Sequence, residues 1–216
     1  MGVRWLPLVL LLSGCVAPQS ELEQRRVQLQ ADGIKAYRRG GYREARQHFE
    51  AALQLRPNDA DVLYNLGRTA EKENKLDEAN DLFRRSIVEQ PDHSPARQAR
   101  TQLLSRTGKR EQADREVQAW LVDHPNSAAA YAEDGWLRLQ DGDLDKARGR
   151  FQQALDRDPK NVRALNELGR IYERMDYPGR AAELYRRSLV HQADQPEIRE
   201  RLNALVKAGV STPRPD

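Results

Sequence analysis

Self-comparison at a shift of 34 residues fixes what this chain can fold into. Ala45, Ala79, Ala113, Ala147 and Ala181 recur at that interval without exception. Gly33, Gly67, Gly135 and Gly169 share a second register, with Thr101 in its third slot. Phe49, Phe83, Val117, Phe151 and Tyr185 hold a third, and Leu53, Ile87, Leu121, Leu155 and Leu189 a fourth. Pro57, Pro91, Pro125 and Pro159 close four units, and Ala193 stands in the fifth. A repeat of this length is one supersecondary unit. It cannot bury its apolar face alone, so successive units must stack side by side.

The residues within a unit say what the unit is. Leu63, Leu66, Gly67 and Ala70 are spaced three and four apart and form a stripe on one helix face. The glycine of the first helix and the alanine of the second are small enough for two antiparallel helices to approach closely, and the aromatic fills the space beside them. Arg39-Gly40-Gly41 and Asp141-Gly142-Asp143 supply the turn inside a hairpin. Proline ends each unit because it cannot continue a helix.

From 26 to 195 the chain resembles the tetratricopeptide-repeat (TPR) family, most closely in VLYNLGRTAEKENKLDEANDLFRRSIVEQP at 62–91. The resemblance implies an all-α fold: a right-handed α-solenoid of five TPR helical hairpins at 26–59, 60–93, 94–127, 128–161 and 162–195. The third unit departs from the pattern, with Thr101 for glycine and Trp120 where a small residue packs. Looser or shifted packing is expected there, or a neighbouring helix that accommodates the larger ring. Ser20-Glu21-Leu22-Glu23 reads as a capping box that starts the first helix near Glu21. Ile198, Leu202, Leu205 and Val206 give 196–209 the pattern of a capping helix over the last apolar face, ended by Gly209, with 210–216 as a flexible tail.

Composition narrows the function. Apolar residues make up 38% and charged residues 32%, which suits a thin solenoid. The 36 basic and 33 acidic residues are interleaved, so the net charge of +3 does not point to nucleic acid. Neither a glycine-rich phosphate loop nor a nucleophile elbow occurs. His48, His93, His124 and His191 lack metal-site spacing and read as surface residues. A non-enzymatic protein with no cofactor and no metal is expected.

The single cysteine, Cys15, excludes an internal disulfide and a cysteine-built metal site. The apolar run Trp5–Leu12 is shorter than the roughly 20 residues of a spanning helix and matches a signal-peptide core. Leu12-Ser13-Gly14-Cys15 resembles the lipobox of bacterial lipoproteins. That implies a signal peptide at 1–14, acylation of Cys15, and 15–25 as the lipidated cysteine with a short tether, about 15 Å when extended. Val16, where an aspartate favours inner-membrane retention, implies the outer membrane, facing the periplasm. An ordinary secretory signal or a buried apolar N-terminus is the alternative.

By the resemblance, partner segments lie along the concave side lined by the first helix of each hairpin. The residues placed there are Tyr37, Arg38, Tyr64, Arg68, Lys72, Gln102, Arg106, Trp136, Gln140, Arg170 and Arg174. Tyr64 and Trp136 offer stiff contact area, and the arginines offer bidentate contacts to acidic residues of an extended or helical segment; generic solvated arginines are the alternative. The Lys–Asn clamp of chaperone-binding members is absent, since Gln30, Ile34, Tyr64 and Arg68 occupy its places. A lipid-anchored five-repeat array is similar to the pilotin lipoproteins of type IV pili, the repeat lipoprotein of tight-adherence (Flp) pili, and lipoproteins that gather peptidoglycan hydrolases. A scaffold assisting assembly of a pilus or secretion complex is expected first. The alternatives are an adaptor for wall hydrolases or other envelope machinery, and a small-ligand binder, which needs a deep apolar pocket between repeats.

Overall fold

A computed structural model describes residues 19–210. The signal-like segment, Cys15 and residues 211–216 lie outside the described residues. The described residues form eleven helices and no strand: α1 (Gln19–Arg38), α2 (Tyr42–Leu55), α3 (Ala60–Lys72), α4 (Leu76–Glu89), α5 (Ser94–Arg106), α6 (Arg110–Asp123), α7 (Ala128–Gln140), α8 (Leu144–Arg157), α9 (Val162–Arg174), α10 (Pro178–His191) and α11 (Pro196–Lys207). Each odd helix from α1 to α9 forms a hairpin with the even helix that follows, and each hairpin packs on the next. Odd helices also touch one another from repeat to repeat, while even helices are spread apart. The odd helices therefore line the inner, concave side.

Helix ends repeat with the sequence. Asp59, His93, Ser127 and Asn161 each cap the following helix, accepting the backbone N–H of Val62, Ala96, Ala130 and Ala164 at 3.0–3.2 Å. His93 corrects the expectation of a surface histidine. It is buried, its Nδ1 accepts from Ala96, and its Nε2 lies 3.0 Å from Asp61. At the hairpin turns Gly40, Asn74, Gly108, Gly142 and Asp176 all have positive φ. The amide after each donates five residues back, as Lys75 does to Ala70 at 2.9 Å, which closes the helix end. The first helix is helical from the first described residue, so Ser20 sits inside its first turn rather than ahead of it.

The core explains the spacing of small and large residues. A Cβ added at Gly33, Gly67 or Gly169 would come within 2.6, 2.6 and 2.5 Å of the ring of Phe49, Phe83 or Tyr185. Only a glycine lets these rings lie against the inner helix. In the third repeat Thr101 faces Val117 instead of an aromatic, and Trp120 occupies the slot of Ala52, Ser86, Ala154 and Ser188. All three are buried, and the Arg97 guanidinium lies 5.3 Å from the Trp120 ring centre. The two helices of this repeat lie less closely against each other than those of the other hairpins, so packing there is both shifted and looser.

A second substitution divides the core. Leu66 pairs with Leu82 and Leu168 with Leu184 in the second and fifth repeats. At the same slots the third has Arg100 with Glu116 and the fourth has Asp134 with Arg150, each pair 2.6 Å apart. Arg138 ties Asp134, at 3.0 Å, to Asp114 of the preceding repeat. An ionic seam thus joins two apolar halves. α11 closes the far end by burying Ile198 against Ala181 and Tyr185.

Candidate functional site

Ten of the expected groove residues line three recesses along the odd helices. Tyr37 and Arg38 of α1 share a recess of about 330 Å³ with Tyr64 and Arg68 of α3. Arg68 also borders a second, of about 300 Å³, with Lys72, Gln102, Arg106 and Trp136. Arg170 and Arg174 line a third of about 460 Å³, walled by Leu139 and Ile171 and bordered by Arg201. Gln140, at the end of α7, lies outside these three. Because Arg68 borders the first two recesses, they form one continuous groove.

The groove's aromatic residues are held in place. The Tyr64 ring lies 6.0 Å from that of Phe83 and 5.5 Å from the His93 imidazole. Burial raises the Tyr64 hydroxyl above its ordinary pKa, so it stays protonated as a donor. The Arg163 guanidinium stands 5.6 Å from the centre of the Trp136 ring. Rings fixed before binding lose little freedom when a partner arrives.

The cations fall into two groups. Arg68 lies 3.2 Å from Glu71, which also forms a close ion pair with Arg106. Arg170 is held by Glu167 at 2.6 Å and by Glu197 at 3.0 Å. These three, expected to grip a partner's carboxylates, already hold carboxylates of this chain. Arg38, Lys72 and Arg174 have no side-chain partner among the described residues. Sequence alone did not separate the two groups, because Glu71 reaches Arg106, and Glu197 reaches Arg170, from neighbouring helices.

Two features were not foreseen. Glu133 on α7 is fully buried and ion-paired to Arg163, yet its Oε1 has no hydrogen-bond partner among the described residues. Burial pushes its pKa up to about 7, with Arg163 opposing. Its register, shared with the groove residues Asn65 and Glu167, was the available signal. The second feature is a cavity of about 780 Å³ bordered by α8, α9 and α10, with Leu155, Leu168, Tyr172 and Leu184 as apolar lining and Asp156, Arg180, Glu183 and Arg187 around it. Gly179 helps to open it, since no atom lies within 4 Å of where its Cβ would be. Other repeats carry Arg43, Asp77, Glu111 and Asp145 at that register, so the lone glycine was the clue. Among the described residues no three acids, histidines or cysteines gather as a metal site, and no helix is long and apolar enough to cross a membrane.

Comparison with known proteins agrees with this geometry. The family model described as the tetratricopeptide repeat matches residues 32–94 and 133–197. The unmatched stretch between them contains the Thr101, Val117 and Trp120 exchange. Cellulose synthase operon protein C of Pseudomonas fluorescens (strain SBW25) is 28% identical over 200 residues, which is 86% of this chain but only 15% of that protein. A thermophilic TPR protein of Thermus thermophilus superposes with a TM-score of 0.67 at 22% identity, over 84% of this chain and 99% of that one. PilF of Pseudomonas aeruginosa does so with a TM-score of 0.61 at 15% identity, over 88% and 86%. At these identities the structural likeness is one of fold alone.

Proposed function

The chain belongs to the tetratricopeptide-repeat family, and from that premise we propose that it is a non-enzymatic scaffold holding a segment of a protein partner in its concave groove. The observation that supports this most is the continuous groove, in which Tyr64 and Trp136 are fixed beside the unpaired Arg38 and Lys72. Stiff aromatics next to available donors are the usual anchors of a protein interface. The test is partner capture by full-length protein from membranes. Tyr64→Ala and Trp136→Ala, introduced together, should abolish capture while the helical circular-dichroism signal persists. Undiminished capture would overturn the groove reading.

We further propose that Cys15 carries a lipid that anchors the array in the outer membrane, facing the periplasm. Support comes from the lipobox-like Leu12-Ser13-Gly14-Cys15 alone. Cys15→Ser should abolish incorporation of labelled palmitate and release the protein from membranes. Retention of label in that variant would refute the assignment.

The task we assign is assembly of a pilus or secretion complex. It rests on architecture, a lipid-anchored array of five repeats, and on the shared fold with PilF. Crosslinking in intact cells should recover a secretin or pilus component, whereas recovery of wall hydrolases alone would overturn the assignment. The sequence likeness to cellulose synthase operon protein C favours a second reading, an adaptor in other envelope machinery, with that machinery's subunits as the crosslinked product.

A further inference from the structure

The last residues of the inner helices form a row. Arg38, Lys72, Arg106, Gln140 and Arg174 end α1, α3, α5, α7 and α9, one repeat apart, and all five are exposed or half-exposed. Four are cationic. The C-terminal end of a helix attracts positive charge, which by itself would place cations there. The outer helices argue otherwise: α2, α4 and α6 have no basic residue in their last turn, and only Arg157 of α8 and His191 of α10 stand against that trend. The charges concentrate on the groove side and not at helix ends in general.

The rungs of this row are not equivalent. Arg106 is occupied by Glu71 and Gln140 is neutral. Arg38, Lys72 and Arg174 hold no side chain among the described residues; the first two border the continuous groove and Arg174 borders the separate third recess on the same inner side. An unpaired cation beside a recess is ready to donate a charge-assisted hydrogen bond to an incoming anion.

Spacing then selects the conformation of the anion's chain. Packed helices of adjacent repeats lie about 10 Å apart. A polyproline II segment rises about 3.1 Å per residue with three residues per turn, so every third side chain returns to the same face after about 9 Å. A β-strand returns a side chain to one face at even intervals only, about 7 or 13 Å, and misses the rungs. An α-helix would match every seventh residue but is about 10–12 Å across. The second recess is only about 300 Å³, although its walls include Arg68 of α3 and Trp136 of α7, two repeats away. A recess of that size takes single side chains of a thin extended segment more readily than a cylinder of that width.

Resting on the groove reading above, we propose that the partner segment is an acidic polyproline II stretch running across the inner helices. One carboxylate meets Arg38, a second lies three residues on at Lys72, and a third lies about nine residues further at Arg174, with uncharged residues between.

Fluorescence anisotropy with the full chain at low salt tests this. The probe is a labelled proline-rich peptide with aspartates at its first, fourth and thirteenth residues. It is compared with a peptide of the same composition whose second and third aspartates are shifted by one residue in opposite directions. The in-register probe should bind about tenfold more tightly. Lys72→Gln and Arg174→Gln should each weaken it about threefold, while Arg115→Gln, exposed on the outer helix α6, should change it less than twofold. Equal binding of the two peptides, or tighter binding of a helical peptide with acids at every seventh residue, would overturn the proposal. Either result leaves the groove reading standing if Tyr64→Ala with Trp136→Ala still abolishes partner capture. If capture survives that double change, the groove reading has failed instead.

Discussion

Replacing Gly67 with alanine drives a methyl group into the Phe83 ring. The new Cβ would lie 2.6 Å from Cε1 and 2.7 Å from Cδ1 of Phe83, and 3.3 Å from Cβ of Leu82. Phe83 is fully buried, so the ring has no solvent to move into. Overpacking of this kind costs about 1–3 kcal/mol. Alanine is the better helix former, which returns about 1 kcal/mol. At 2.6 Å the approach puts the cost in the upper part of that range, so the clash wins by about 1–2 kcal/mol, or roughly 2–8 °C in thermal midpoint for a chain of this size. Urea and thermal unfolding followed by helical circular dichroism would read it. Phe83→Leu alone should also destabilise by leaving a cavity, but in the Gly67→Ala background it should restore much of the loss, because it removes Cε1, the nearest atom the methyl meets, and leaves Cδ methyls that a rotamer change can turn aside. Thr101→Ala, which faces Val117, should cost less than about 1 kcal/mol. A Gly67→Ala protein as stable as wild type, or one indifferent to Phe83→Leu, would show that the two helices are not held at ring-to-backbone contact.

Asp176 has φ 61 at the turn where three other repeats use glycine, so Asp176→Gly should stabilise the fold by about 0.5–1 kcal/mol; a lower unfolding midpoint would contradict the turn geometry. Glu133 keeps its proton in the folded chain up to about pH 7, whereas the unfolded chain releases it near 4.5. The folded state therefore loses stability as pH rises through that window, by up to about 3 kcal/mol, and Glu133→Gln should flatten the profile measured by urea midpoints. Arg150→Leu alone should cost about 1–3 kcal/mol by leaving the fully buried Asp134 with fewer partners. Adding Asp134→Leu, which recreates the leucine pair of the second and fifth repeats, should recover most of that loss; a double variant weaker than the single would show that the seam does more than fill space.

The fold was legible because each repeat spells the same contacts. The interval of 34 residues, the glycine opposite an aromatic, and the proline at each end specify a hairpin and its neighbour together. The third repeat was harder to read, since Thr101, Val117 and Trp120 each look like a defect when taken singly. The structure buries all three while thinning the contact between α5 and α6, which no single slot announces. The groove was legible by register, which put Tyr64, Lys72 and Trp136 on one side. Which cations are available was not, because Glu71 reaches Arg106 from another helix and Glu197 reaches Arg170 from the capping helix. His93 was misread as a surface residue, because a histidine seldom caps a helix and nothing local marks its burial. The cavity between α8 and α10 was missed, since one glycine among charged counterparts carries little weight until the helices are placed.

Site-specific photo-crosslinking tests most directly whether the inner helices are the working surface. A photoreactive residue would replace Gln102 or Gln140 on the inner side, and Val122 or Val190 on the outer side, where the valines are 79% and 75% exposed. In intact cells the inner positions should give one discrete adduct with a partner protein, and the outer positions should give none. The same adduct from Val122 or Val190, with the inner positions silent, would contradict the placement of the partner in the groove.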